Sequence, residues 1–227
     1  MGQDFYEQTE TGKRIFDKAT ELMGFSMPQL CFEENDRLDI TEYTQAAMVT
    51  ASIAMMRVLE ENGIKPDVAA GLSLGEYCAL AAAGVMSDED AIRTVRQRGI
   101  LMQEAVPVGE GAMAAILALD ASAIEEVTGA MEGVWIANYN CPGQIVISGE
   151  KAAVEDACEK LKAAGAKRAV MLNVSGPFHS GMLADAGERL GEVLSQVELH
   201  EPQIPYVANV TAQYVKSAAE VKELLTR

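Results

Sequence analysis

Apolar positions in the first third of the chain recur three or four residues apart, the spacing of helices that bury one face. One such stretch opens at Thr41, passes through Ala46, Ala47, Val49, Ile53, Met56 and Leu59, and stops at Asn62-Gly63. Threonine before and asparagine-glycine after are the expected helix start and stop signals. Pro66-Asp67 breaks the pattern, and Val68–Gly71 then reads as a short strand. Beyond Ser73 a second helical stretch runs to Ala83-Gly84. Ser87-Asp88-Glu89-Asp90 caps a further helix that reaches Glu104. No strand is read in the first 40 residues.

From Gly111 onward the pattern changes. Ala112–Leu119 reads as a strand, Ser122–Met131 as a helix and Val134–Tyr139 as a strand. After a turn at Asn140-Cys141-Pro142-Gly143 come a strand at Gln144–Ser148, a helix at Lys151–Ala164 and a strand at Arg168–Leu172. The order βαββαβ is that of a ferredoxin-like split unit. This places a small subdomain at 107–173, inserted into a larger α/β domain built from 1–106 and 174–227. A helix near 181–197, a strand at Tyr206–Asn209 and a helix from Ser217 complete the larger domain, which reads as short of strands for a parallel sheet.

Composition narrows the classes. The 227 residues are 49% apolar and 23% charged, enough for one sizeable core with an inserted subdomain. No run approaches the roughly eighteen apolar residues of a membrane span, and the first residues lack the apolar centre of a secretory leader. A formal charge of −16 argues against nucleic acid and against an acidic membrane surface. An acidic partner would need a local basic patch, for example around Lys160, Lys162, Lys167 and Arg168. Cys31, Cys78, Cys141 and Cys158 lie far apart, without a C-x-x-C pair. They read as reduced, buried small hydrophobes in a cytoplasmic protein. That only His179 and His200 are available, neither at ligand spacing, argues against a Cys/His zinc site.

Four places carry candidate chemistry. Gly71-Leu72-Ser73-Leu74-Gly75 lies between a strand and a helix, the context of a nucleophile elbow. Small residues two positions either side of the serine would relieve a strained turn, and the Leu74 backbone N–H would face a developing oxyanion. The bland alternative is a serine helix cap with flexible glycines. His179, in Gly176-Pro177-Phe178-His179-Ser180-Gly181 after a strand, is the better base, because His200 sits in the charged connection Glu198-Leu199-His200-Glu201. Arg98 stands on a helix face that otherwise reads Ala91, Thr94, Leu101 and Ala105. It is either a clamp for a substrate carboxylate or an arginine that reaches water or bridges Glu104. Gln45, Asn138 and Asn140 can orient a polar substrate or serve as caps and turn residues.

The stretches GLSLGEY around Ser73, QRGILMQEAVP around Arg98, NYNCPGQIVISG from Asn138 and GPFHS around His179 together resemble the malonyl-CoA:acyl carrier protein transacylases, in that family's order. The resemblance implies an α/β-hydrolase-like parallel-sheet core with an inserted ferredoxin-like subdomain. It implies that Ser73 is acylated and that His179 is first base and then acid. Arg98 would hold the free malonate carboxylate, Gln45 and Asn140 would line the pocket, and the Leu74 N–H would serve the oxyanion. Malonyl-CoA and acyl carrier protein are the implied substrates of a cytoplasmic monomer without metal or redox cofactor. Leu72 stands where the family commonly has histidine, which implies a drier pocket. The family's strand and Pro-Gly-Gln-Gly-Ala-Gln turn, and a later segment whose glutamine orients the histidine, are not read in these residues, so the larger domain is expected to be incomplete at both ends. Competing expectations are a serine hydrolase or thioesterase using the same elbow, and a scaffold that binds partners without turnover.

Overall fold

A computed structural model describes residues 1–107, 109–174 and 176–226. Ser175, at the start of the loop read around His179, and Arg227, at the end of the last expected helix, lie outside the described residues. The chain forms two compact units, Met1–Ile100 with Gly187–Arg227, and Leu101–Ala186. The sequence boundaries at 107 and 173 follow the strands of the smaller unit. The observed unit also takes in the end of one helix and the loop bearing His179.

The first unit is largely helical. It contains α1 (Gln3–Gln8), α2 (Glu10–Met23), α3 (Met27–Phe32), α4 (Thr41–Glu61), α5 (Gly75–Ala82) and most of α6 (Asp88–Ala105). Near the other end of the chain follow most of α9 (Ala184–Ser195) and α10 (Ala218–Thr226). The centre is α4. Ala46, Ala47, Ala51 and Ala54 are buried on more than one face, and small side chains of this kind let α2, α3 and α5 pack closely around it. Its C-terminal stop is Asn62 followed by Gly63 at φ 82, a left-handed position that glycine adopts without strain. Ser87 caps α6 by accepting from the Asp90 N–H at 3.0 Å.

Among the described residues, two short strands join this unit. β1 (Ala69–Ala70) pairs in parallel with β6 (Tyr206–Val207), in the register Ala69 to Tyr206. Both are shorter than their sequence signals. After β6 the chain turns back on itself through Ala208 and Gln213, with Val207 bridged to Tyr214.

The second unit has β2 (Gly111–Leu117), α7 (Ala121–Gly129), β3 (Val134–Cys141), β4 (Gln144–Glu150), α8 (Lys151–Ala163) and β5 (Arg168–Met171). Its sheet order is β3-β4-β2-β5, and every pair is antiparallel. Strand alternation separates two faces. Ala114, Ile116, Ile145 and Ile147 bury against Ile124, Val154, Ala157 and Leu161 of the two helices. Met113, Ala115 and Val146 point the other way and receive Phe178. Among the described residues no helix is long and apolar enough to cross a membrane.

Candidate active site

The site begins at a turn that the local sequence cannot relax. β1 ends at Ala70 and α5 begins at Gly75, so four residues reverse the chain between strand and helix. Ser73 sits at φ 49, in the left-handed region. For a residue with a Cβ that conformation costs on the order of 1–2 kcal/mol. It persists because the turn is tied on both sides: the Gly75 N–H donates to Leu72 O at 2.9 Å and the Glu76 N–H to Ser73 O at 3.1 Å. The Tyr77 N–H donates to Leu74 O at 3.2 Å, while the Leu74 N–H takes no acceptor among the described residues. It is therefore available to an anion at the start of α5.

The two motif glycines differ in kind. A Cβ on Gly71 would collide with the backbone carbonyl of Gly75 and the Glu76 nitrogen, whereas a Cβ on Gly75 would meet open space. The expectation that both flanking positions must be small is corrected to Gly71 alone. Leu72 is 58% exposed beside this turn.

Arg98 reaches this turn from α6. Gly99 beside it permits a close crossing with α4, since a Cβ there would lie 2.6 Å from the Glu42 Cα. The same crossing pairs Arg96 with Glu42 at 2.6 Å. Arg98 then donates from Nη1 to Gln45 Oε1 at 2.7 Å and from Nη2 to Ser73 Oγ at 2.9 Å. Its guanidinium lies 5.9 Å from the ring centroid of Tyr77. Burial pushes its pKa below the ordinary arginine range, against the pull of Tyr77 and Glu76. The guanidinium is thus directed at Gln45 and Ser73. Gln45, 5% exposed, is the group that orients it.

Three further residues complete this cluster without having been singled out in the sequence. Glu76, on the first turn of α5, is buried, and its Oε1 accepts both the Tyr206 hydroxyl and the Asn209 N–H, the latter at 2.9 Å. Asn209 Oδ1 in turn accepts the Ser73 N–H at 3.1 Å. Burial raises the Glu76 carboxyl, and the Tyr206 hydroxyl, the Asn209 amide and Arg98 lower it again. The one available signal was Glu76 itself, the sole charge in the apolar run from Leu74 to Val85. Nothing local pointed to Asn209.

His179 and Asn140 belong to the second unit. His179 also has left-handed backbone, at φ 57, on a loop seated against the sheet. A Cβ on Gly111 would strike the Pro177 ring, one on Gly181 would lie 2.6 Å from Trp135, and Phe178 packs on Met113 and Val146. The Ser180 hydroxyl closes the loop by donating to Pro177 O at 2.7 Å. Asn140 is exposed on β3, where the pairing register shifts between Tyr139 and Cys141. The structure thus brings Ser73, Arg98 and Gln45 together in the first unit and carries His179 and Asn140 in the second.

Other expectations are corrected in part. Cys31 and Cys158 are buried free thiols, but Cys78 is only partly buried and Cys141 is exposed at the end of β3. Lys160 and Lys162 are paired with Asp156 and Glu159, which weakens the basic patch suggested there. His200 is an exposed connection residue whose N–H donates to Val85 O.

Residues 1–224 match the family model of the acyl transferase domain. The chain is 49% identical over 230 aligned positions to the malonyl CoA-acyl carrier protein transacylase of Bacillus subtilis, covering 99% of this chain and 73% of that protein. It superimposes with a TM-score of 0.96 on an acyl carrier protein S-malonyltransferase from Vibrio cholerae, at 41% identity over 100% of this chain and 76% of the other. A malonyl-transacylase solved in complex with a type II polyketide acyl-carrier protein gives a TM-score of 0.95 at 41% identity, covering 100% of this chain and 75% of that one.

Proposed function

The chain belongs to the acyl transferase family, within its malonyl-CoA:acyl carrier protein transacylases, and on that premise we propose that it moves a malonyl group from malonyl-CoA to acyl carrier protein through an ester on Ser73. The observation that carries the assignment to these residues is the bond from Arg98 Nη2 to Ser73 Oγ, with Nη1 on Gln45. A nucleophile and an oriented guanidinium in one site suit an acyl group that ends in a free carboxylate.

In the first half-reaction Ser73 Oγ attacks the thioester carbonyl and gives its proton to His179. The negative charge that forms on the carbonyl oxygen is met by the Leu74 N–H. The tetrahedral species collapses, the C–S bond breaks, and the CoA thiolate takes the proton back from His179. In the second half the phosphopantetheine thiol of the carrier protein loses its proton to His179 and attacks the ester, and Ser73 leaves with that proton. No metal or redox group has a part in these steps. Asn140 lines the acyl pocket in this reading. The reaction is cytoplasmic, where free thiols such as those of this chain persist.

Arg98 gives the selectivity. Its fork is held by a neutral amide and a hydroxyl until a malonyl carboxylate, a stronger and bidentate acceptor, replaces them. The exchange also withdraws a donor from Ser73 Oγ, which frees a lone pair for attack. An acetyl group offers no such replacement.

Incubation with malonyl-CoA followed by intact mass measurement tests the assignment. A malonyl adduct that disappears in Ser73→Ala and is passed on to holo-acyl carrier protein is the expected result. An adduct that survives in Ser73→Ala removes the serine from its role. For Arg98→Ala the malonyl-to-acetyl rate ratio falls about 10–100-fold, the worth of a hydrogen-bonded charge. An unchanged ratio contradicts the role of the guanidinium.

A further inference from the structure

The backbone of Ser73 is held by a closed ring of hydrogen bonds that involves neither Arg98 nor His179. The Ser73 carbonyl accepts the Glu76 N–H at 3.1 Å. The Glu76 carboxylate accepts the Asn209 N–H at 2.9 Å, and the Asn209 side chain accepts the Ser73 N–H at 3.1 Å. The Tyr206 hydroxyl, from the strand paired with β1, donates to the same Glu76 oxygen. Asn209 is itself fixed by its neighbours, because Ala208 donates to Gln213 O at 3.0 Å and Ala212 to Ala208 O at 2.9 Å.

Each link has a separate physical reason to exist. A left-handed serine does not hold its conformation without outside support. A buried carboxylate needs donors, and Glu76 finds two of them on the segment from Tyr206 to Asn209. That segment places an amide oxygen on the nucleophile's own N–H, the one backbone donor of Ser73. With the Ser73 N–H and C=O both engaged, the plane of the peptide between Ser73 and Leu74 is set, and so is the direction of the Leu74 N–H.

We propose that Glu76 and Asn209 are positioning residues for acyl transfer: through this ring they hold Ser73 in its left-handed form and aim the Leu74 N–H at the oxyanion. The inference rests on the reading of Ser73 as the acylated residue. It predicts a defect in the chemical step rather than in substrate binding. A catalytic group displaced by about an ångström loses on the order of 10²-fold in rate, whereas the malonyl carboxylate is held by Arg98, outside the ring.

The test uses Asn209→Ala, Asn209→Asp, Glu76→Ala and Glu76→Gln in the full chain. Acylation of Ser73 is followed in single turnovers with malonyl-CoA and, separately, with a fluorophosphonate probe. Asn209→Ala and Glu76→Ala are expected to acylate roughly 10²-fold more slowly with KM for malonyl-CoA nearly unchanged. Asn209→Asp and Glu76→Gln, which keep the accepting oxygens, recover most of that loss. If Asn209→Ala fails to melt cooperatively, Asn209→Ser, whose hydroxyl falls short of the Ser73 amide, carries the same expectation. Alanine variants that acylate at the parent rate, a change confined to KM, or conservative variants as slow as the alanines would overturn the proposal. A parent serine that takes the fluorophosphonate but no malonyl group refutes the transacylase reading instead, and the probe rates still judge the ring. A parent serine inert to both overturns ring and reading together.

Discussion

Replacing Gly71 by alanine tests the account of the elbow more severely than any change to a reacting group. The sequence motif treats Gly71 and Gly75 alike, but the structure does not. A methyl group on Gly71 would overlap the Gly75 carbonyl and the Glu76 nitrogen, atoms of the turn that holds Ser73. Overpacking in a well-packed site costs about 1–3 kcal/mol, and here the upper part of that range applies because the struck atoms are backbone and cannot rotate away. At about 2–4 °C per kcal/mol for a chain of this size, a loss of about 2–3 kcal/mol lowers the melting temperature by roughly 4–12 °C. Gly75→Ala meets open space and adds a better helix former to α5, worth up to about 1 kcal/mol of added stability. Thermal melts by calorimetry, with fluorophosphonate labelling of Ser73 on the same samples, compare the two. The expected pattern is a destabilised, slowly labelled Gly71→Ala beside a Gly75→Ala that melts at or above the parent. If Gly71→Ala melts and labels like the parent, or Gly75→Ala is the more damaging change, the steric account of the elbow is wrong.

Two other perturbations probe the frame around the site. Arg57 joins α4 to α6 by pairing with Asp88 at 2.6 Å; it also pairs with Glu60 of its own helix at 2.7 Å and donates to Ala81 O at 3.0 Å. Both ion pairs are only about one quarter exposed. Arg57→Ala leaves those acceptors without their donor and is expected to cost about 1–3 kcal/mol in urea unfolding, with malonyl selectivity unchanged; a variant of parent stability contradicts the linkage. Glu76 gives a pH signature. Burial raises its carboxyl above the ordinary 4.5, so the folded state binds the proton more tightly than the unfolded chain. That contribution is present below 4.5 and is lost as pH rises through the raised value. The melting temperature of Glu76→Gln, relative to the parent, should therefore climb across that interval, and a relative decline would refute the burial effect.

Much of the architecture is a matter of local pattern, and it was legible for that reason. The change from helical spacing to strand alternation at Gly111, and the order of elements that follows, depend on side chains within a few residues of one another. Ser73 was legible because a turn between strand and helix needs small residues nearby. Arg98 was legible because a charge stood in a neutral stripe. What each of them touches was not. Arg98 meets Gln45 53 positions away, and Glu76 meets Asn209 133 positions away. Such pairings depend on the path of the whole chain, above all on the close crossing of α4 and α6 at Gly99 and on the pairing of β1 with β6. The sequence by itself thus determined most of the succession of elements and singled out Ser73 and Arg98 as candidates. Tertiary packing alone decided that Gly71 rather than Gly75 has no room for a side chain, that Gln45 accepts from the guanidinium, and that a buried carboxylate ties the serine's backbone to a distant loop, because only packing gives distant atoms a shared position.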